Sequence, residues 1–256
     1  MVALLVKGRA SYNPWTGVRV DLQRMNMKRV LEPEFMDDEE QVLAYAEADF
    51  SSSNQLFVDR LVAEYPSNMK HVLDLGCGPA DICIRLVRMK PSVRVTAIDA
   101  SAAMVRVAQQ AVVDANLQDQ VTVVKARLPG LSLEEDDFDT IVSKDFLHHL
   151  PNPTVFWQEL KHLSQRHTAI CVMDLFRPRS EDAAKAIVES VSAHEPEIFK
   201  TDFYNSLLAA FSLDEVRSQF RELGLEFAIE KVSERHFLVT GFTDGSSCRQ
   251  QTLTNA

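Results

Sequence analysis

Between residues 71 and 175, short unbroken apolar runs alternate with stretches whose apolar positions recur every three or four residues. An unbroken run is the trace of a strand buried on both faces, and the helical recurrence marks a helix with one buried side. The pattern predicts strands over 71–75, 93–98, 121–125, 139–143 and 168–174, with helices over 80–90, 102–116 and 153–164 among them. Such alternation implies right-handed crossovers and a parallel sheet. Beyond residue 178 the rhythm changes. Two helical patterns, 181–193 and 202–211, stand where one crossover helix would suffice. The second, Asp202 to Phe211, is unusually apolar and aromatic and reads either as a lid over a pocket or as a buried helix, with Tyr204 and Asn205 as pocket or core residues. Ser212 and Glu215 make a capping box for a helix over 213–223, closed by Gly224. Strands over 226–232 and 236–241, joined by a short polar turn, predict an antiparallel hairpin at the sheet edge. The fold class is therefore α/β, a mostly parallel seven-stranded sheet with helices on both faces.

Upstream, residues 1–35 read as irregular, with Pro14, Gly17 and Pro33 among mixed charges. Asp37 or Asp38 suits the cap of a helix whose first turn is acidic. Val42, Tyr45 and Ala46 share one face, Ser51 to Asn54 interrupt the pattern, and Leu56, Phe57, Leu61 and Val62 resume it. The expected division is an N-terminal extension and two-segment helical cap over 1–65, a ligand-binding domain over 66–241 with a helical insertion at 178–211, and a disordered tail over 242–256.

The densest signal is His71 to Pro79, an apolar strand running into Gly76-Cys77-Gly78 and then a helical pattern. Glycine lets the backbone turn sharply and leaves room for close approach. Ligands of open α/β sheets sit at that carboxyl edge. A second run, Val93 to Ile98, ends in Asp99, 23 positions after Gly76, where an acid accepts hydrogen bonds from ribose hydroxyls. The third glycine of a dinucleotide fingerprint is missing, since positions 80 to 82 are Ala80, Asp81 and Ile82. Asp74 adds a carboxylate that repels a pyrophosphate and attracts a cation. The ligand reads as a cationic nucleoside.

Composition narrows the partners. At 256 residues the chain suits one large domain with an addition, and 46% hydrophobic with 25% charged content is ordinary for a soluble protein. The net charge of −10 disfavours nucleic acid. Cys77, Cys83, Cys171 and Cys248 are scattered without metal spacing, and with Cys77 and Cys171 in strand or turn patterns a disulfide framework is not expected and a reducing cytoplasm is. Met1 to Val6 is cut short by Lys7 and Arg9, too brief for a signal peptide or membrane span. No internal repeat is visible, and an oligomer is possible.

Val-Leu-Asp-Leu-Gly-Cys-Gly-Pro (72–79), Ile-Asp-Ala-Ser (98–101) with Met104, and Phe-Asp-Thr-Ile-Val-Ser (138–143) leading into Leu-His-His-Leu-Pro-Asn-Pro (147–153) resemble the class I S-adenosylmethionine-dependent methyltransferases of Rossmann-like fold. The resemblance runs from about residue 70 to 175, and more loosely to Gly241. It implies S-adenosylmethionine as cofactor and S-adenosylhomocysteine as product. It implies that Gly76, Cys77 and Gly78 pass close to the cofactor, that Asp74 faces its methionine end, that Asp99 with Ala100 holds the ribose, and that Met104 packs on adenine. Tyr45 lies over the cofactor or in the core. The family often carries an acid after its third strand; here Ala126 and Arg127 stand in its place, so backbone groups are expected to read adenine. Lys144, near a sulfonium, is expected to point away or pair with Asp145.

Methyl transfer from a sulfonium requires alignment above all, and a base only when the nucleophile is protonated. His148 and His149, after the fourth strand, are the candidate bases, or else loop-packing or substrate-shaping residues. Adjacent histidines rarely face one pocket, so at most one of the two is a strong candidate. The run Glu134 to Asp137 reads as a solvated loop. Asp174 lies at the active edge, but no Asp-Asn pair follows the fifth strand, and no metal is expected. There is no Asn-Pro-Pro-Tyr or Pro-Cys after strand four. The motif there resembles enzymes acting on small molecules, which implies a small, partly apolar acceptor. Two other readings remain: a non-catalytic module that binds the cofactor, and another reaction of the same cofactor.

Overall fold

In the computed structural model, residues 11–12, 19–20, 27–32, 39–67, 69–133 and 137–243 are described. A seven-stranded sheet runs in the order β5 (Val121–Lys125), β4 (Arg94–Asp99), β3 (His71–Leu75), β6 (Thr140–Lys144), β7 (Ala169–Leu175), β9 (His236–Phe242) and β8 (Ala228–Lys231). The first five of these pair in parallel, and β9 pairs antiparallel with both β7 and β8. β3 and β7 are buried along their whole length, as their unbroken apolar runs require.

Period-two alternation sends neighbouring side chains to opposite faces of the sheet. Val72, Val142, Cys171 and Met173 meet helices α2 (Ser51–Glu64), α3 (Asp81–Met89) and α4 (Ala102–Asp114). Leu73, Ile141, Ile170 and Val172 meet α5 (Pro153–Leu163) and α8 (Leu213–Leu223). In that second layer Trp157 stacks edge-on with Phe156 and Phe220, and its indole N–H donates to Gln219 Oε1 at 2.7 Å. Strand order reverses between β3 and β6, a switch point of the kind that receives ligands.

The expected elements recur within a residue or two, with instructive exceptions. The serines expected to interrupt the cap instead open α2, which follows α1 (Glu39–Glu47); serine is tolerated in a first turn, where N–H groups have no intrahelical acceptor. The helix expected over 202–211 begins earlier, as α7 (Glu197–Ala209), after Pro196. It packs on α6 (Glu181–Ser192) through Leu207, with Tyr204 packed against the same apolar group. Within the stretch read as irregular, β1 (Ser11–Tyr12) pairs antiparallel with β2 (Arg19–Val20). The capping box forms as read: Ser212 Oγ accepts from Glu215 N and Glu215 Oε2 from Ser212 N. The tail beyond Thr243, the cap at Asp37 or Asp38, Cys248 and residues 134–136 lie outside the described residues. Asp137, at the end of that acidic run, lies 2.8 Å from His71 Nδ1.

Tyr65 locks the cap helix to the sheet. Its buried hydroxyl accepts Gly241 N–H at 2.8 Å and lies 2.8 and 3.0 Å from the carbonyls of Ile170 and Gly241, which are paired residues of β7 and β9. Tyr65→Phe strands these groups away from water and should cost about 1–3 kcal/mol, read as a lower melting temperature in calorimetry. An unshifted transition would show that Tyr65 does not bear this load.

Candidate active site

The turn after β3 is built by backbone conformation. Gly76 and Gly78 hold φ values of 76° and 52°, and Ala80 follows at 65°. The N–H groups of Gly76 and Cys77 both donate to Ile98 O at 2.9 Å, which ties the turn to β4. The room beside Gly76 belongs to Phe146: a Cβ there would lie 2.5 Å from its ring. Gly76 is thus required by left-handed backbone and by the close approach of Phe146. Beside Gly78 the nearest neighbour would be Tyr45 Cε1, at 3.8 Å.

Asp99 organises the next loop. Its Oδ2 accepts Gly78 N–H at 3.0 Å and its Oδ1 accepts Ser101 N–H at 2.9 Å. Ser101 then caps α4 through Met104 N–H. Half-buried Ala100 lies between them, and buried Met104 packs with Val42 and Ala103 beneath Tyr45. Ala126 N–H is committed to Asp99 O at 3.0 Å, so that amide is occupied within the sheet, while Arg127 is exposed. Asp74 is almost sealed, with 2% exposure, and accepts from Cys83 Sγ at 3.1 Å. Burial, with Asp99 nearby, pushes its carboxyl up to about 7. Cys77 is likewise buried, and burial raises its thiol well above the ordinary range.

Next to this turn lies a cavity of about 660 Å³, counting its open mouth. Tyr45 stands at the junction: burial and then the charges of Asp145, Asp99 and Asp174 raise its hydroxyl. The walls include Phe50, Phe199 and Phe203, so α7 contributes one face to the cavity and another to the core. Tyr204 and Asn205 do not line it; Asp202, Phe203 and Ser206 do.

Both histidines line the cavity, contrary to the expectation that only one would, because the 3-10 turn Leu147–His149 sets their rings 4.2 Å apart. His148 is buried, with Nδ1 2.7 Å from Asp174 Oδ1, and Asp174 Oδ2 accepts Leu147 N–H at 2.6 Å. Burial alone would push the His148 imidazolium down, but Asp174 outweighs it and lifts the group to about 9. Exposed His149 pairs with Glu32. Burial would raise Glu32, yet the His149 hydrogen bond brings it to about 2. Lys144 pairs with Asp145, as expected.

Glu32 arrives on a strap, residues 27–32, held by Arg29. That guanidinium donates to the carbonyls of Ala209, Pro151, His148 and Leu150, and lies 3.9 Å over Phe211. Val30 N–H donates to Leu208 O, and Ser206 Oγ donates to Glu32 at 2.5 Å. No periodicity marks this stretch, so the sequence carried no signal for Glu32 or Arg29. The Asp174–His148 pair was inferable: parallel neighbours β6 and β7 bring their carboxyl ends side by side. Glu32, His148 and His149 place their ligand atoms within 4.8 Å of one another, but Glu32 is engaged by His149 and Ser206, and His148 by Asp174.

Residues 72–167 match the methyltransferase domain family. Demethylmenaquinone methyltransferase of Porphyromonas gingivalis is 28% identical over 110 residues, 43% of this chain and 45% of that relative, so the chain spans less than half the relative's length. The solved S-adenosylmethionine-dependent methyltransferase of Aquifex aeolicus superposes with a TM-score of 0.62 at 20% identity, covering 82% of this chain and 99% of that one. Plantazolicin methyltransferase BpumL, solved with a desmethylplantazolicin analogue and S-adenosylhomocysteine, gives 0.62 at 14%, covering 80% and 90%. Residues 72–167 therefore match a methyltransferase domain, set in a fold shared with solved S-adenosylmethionine-dependent methyltransferases.

S-adenosylmethionine is the cofactor of that methyltransferase family, and the residues present suit it. A carboxylate accepts about four hydrogen bonds; Asp99 has spent two on backbone N–H groups and keeps capacity for a ribose. Asp74 is a buried carboxyl with no ion pair among the described residues, an arrangement that a nearby cation relieves.

Arg29→Ala should release the strap of the methyltransferase domain. Losing these charged hydrogen bonds costs on the order of 1–3 kcal/mol, so Val30 amide exchange should accelerate roughly 10- to 100-fold. Unchanged protection would mean that other contacts hold it.

Proposed function

We propose that the protein transfers a methyl group from S-adenosylmethionine to a small, partly apolar acceptor held in the aromatic cavity. The observation that carries the reading is the adjacency, across Tyr45, of the Gly76–Gly78 turn with Asp99 and a cavity that contains the buried His148–Asp174 pair. A relative named for demethylmenaquinone supports a small-molecule acceptor. In this reading residues 1–65 form a cap, residues 66–241 the catalytic domain, and the insertion 178–211 an acceptor wall. Buried free thiols at Cys77, Cys83 and Cys171 support a cytoplasmic location, and the net charge of −10 supports an acceptor other than nucleic acid. No described helix is long and apolar enough to cross a membrane.

The bound cofactor supplies a methyl group activated on a sulfonium. Gly76, Cys77 and Gly78 present backbone to it, Asp99 holds its sugar with Ala100 alongside, and Met104 supports its base beside Ala126 and Arg127. Asp74 offsets its positive end, while Lys144 is kept from repelling it by pairing with Asp145. The aromatic walls orient the acceptor and exclude water, which favours the in-line approach. His148 takes the acceptor's proton, with Asp174 holding Nδ1 so that Nε2 is the working atom. His149 keeps Glu32 in place.

Two outcomes test this assignment. Asp99→Ala should weaken S-adenosylhomocysteine binding in calorimetry by roughly 10- to 100-fold, the worth of hydrogen bonds to a charged group; unchanged affinity removes Asp99 from the ribose site. The base works only when deprotonated, and Asp174 holds His148 at about 9. The wild-type rate should therefore climb with pH, roughly tenfold per unit below that value, and His148→Gln should lose the climb. A wild-type profile that is flat from pH 6 to 9 excludes His148 as the base.

A further inference from the structure

Of the basic side chains in and beside the cavity wall, Arg235 is the one left outside the ion pairs around it among the described residues. Lys144 pairs with Asp145, His148 with Asp174, and His149 with Glu32. His236, whose imidazolium is pushed down by burial, lies 3.3 Å from Asp145 Oδ1. Arg235, in the turn between β8 and β9, also lines the cavity. Its side chain makes no hydrogen bond or ion pair among the described residues; its contact is the Phe203 ring, 5.9 Å from the guanidinium carbon.

The other interior arginines behave differently. Arg29 donates to four carbonyls, and Arg177 donates to Ala210 O and Glu215. A half-buried guanidinium stays charged, and the Arg235 donors remain open to solvent or to a ligand in the cavity. Of the remaining acids in the wall, Asp49 N–H donates to Glu195 Oε1, while Asp202 is shifted towards its neutral form by burial and Glu32. None of the three is paired with Arg235.

We propose that Arg235 anchors a carboxylate on the methyl acceptor, whose flat apolar body lies along Phe50, Phe199 and Phe203. These rings form a continuous wall, Phe50 edge-on to Phe199 at 5.6 Å and Phe199 stacked with Phe203 at 6.1 Å. Arg235 reaches the end of that wall at Phe203. The unpaired guanidinium matches a single negative charge and grips a carboxylate with two parallel N–H donors. A doubly charged phosphate would meet the wall's Asp49, Glu195 and Asp202 with twice the repulsion that a carboxylate meets and the same one unpaired guanidinium to offset it. The acceptor class is therefore a small aromatic or unsaturated monocarboxylic acid, an identification that rests on the methyltransferase reading for what happens to it next.

The test titrates cinnamate and cinnamamide, which share shape and differ in charge, into the full chain with and without saturating S-adenosylhomocysteine. Wild type should bind cinnamate at least about tenfold more tightly, the worth of one charged bidentate contact. Arg235→Met keeps the apolar stem and should bind both ligands alike, and Arg235→Lys should regain part of the preference. Equal binding by wild type, an undiminished preference in Arg235→Met, or no binding of cinnamate would each overturn the proposal. S-adenosylhomocysteine affinity, measured in parallel, separates the two readings. If wild type fails to bind it, the methyltransferase reading falls, while the cinnamate preference without it still decides the anchor.

Discussion

Four aspartates at the carboxyl ends of four parallel strands must each be answered by donors, and the answers shape the site. Asp99 collects the glycine-turn N–H and the first N–H groups leading into α4. Asp174 collects the 3-10 turn and His148. Asp145, with a positive φ of 54° just past β6, collects Lys144 at Oδ2, while His236 lies 3.3 Å from its Oδ1. Asp74, inside β3, has no cation and no backbone donor among the described residues, and burial shifts it towards neutrality. A buried charge without partners is so unfavourable that each loop is held where it can supply one.

The cavity inherits its character from that network. Ion pairs occupy the sheet side and aromatic rings the side formed by the cap and α7. The N-terminal strap closes one wall by lending Glu32 to His149, while Arg29 fastens it to carbonyls that α7 and the His148 loop leave without helical partners. Binding, proton removal and acceptor selection are thereby assigned to different parts of one rim. Under the proposed function, Asp99 and the glycine turn would serve the cofactor, His148 with Asp174 the proton, and the phenylalanines with Arg235 the acceptor.

The sheet and its helices were legible because each element carries its own period. β3 and β7 are unbroken apolar runs, α8 has a capping box and a terminal glycine, and Asp99 stands at ribose distance from Gly76 along the chain. These are local signals, set by residues within one turn or one strand of each other. The early start of α7 was hidden because Glu197 to Thr201 follow no apolar stripe. The role of Gly76 was hidden because Phe146, seventy positions away, is what crowds it.

By itself the sequence determined the fold class and the glycine turn at the carboxyl edge of the sheet, since backbone hydrogen bonding and apolar periodicity act over short separations. The tertiary structure alone decided that Glu32 meets His149, that both histidines border one cavity, and that Arg235 lines it without an ion pair among the described residues. Those facts depend on which distant groups burial forces together, and electrostatic balance within a cavity is a sum over its whole wall, which no local pattern along the chain encodes.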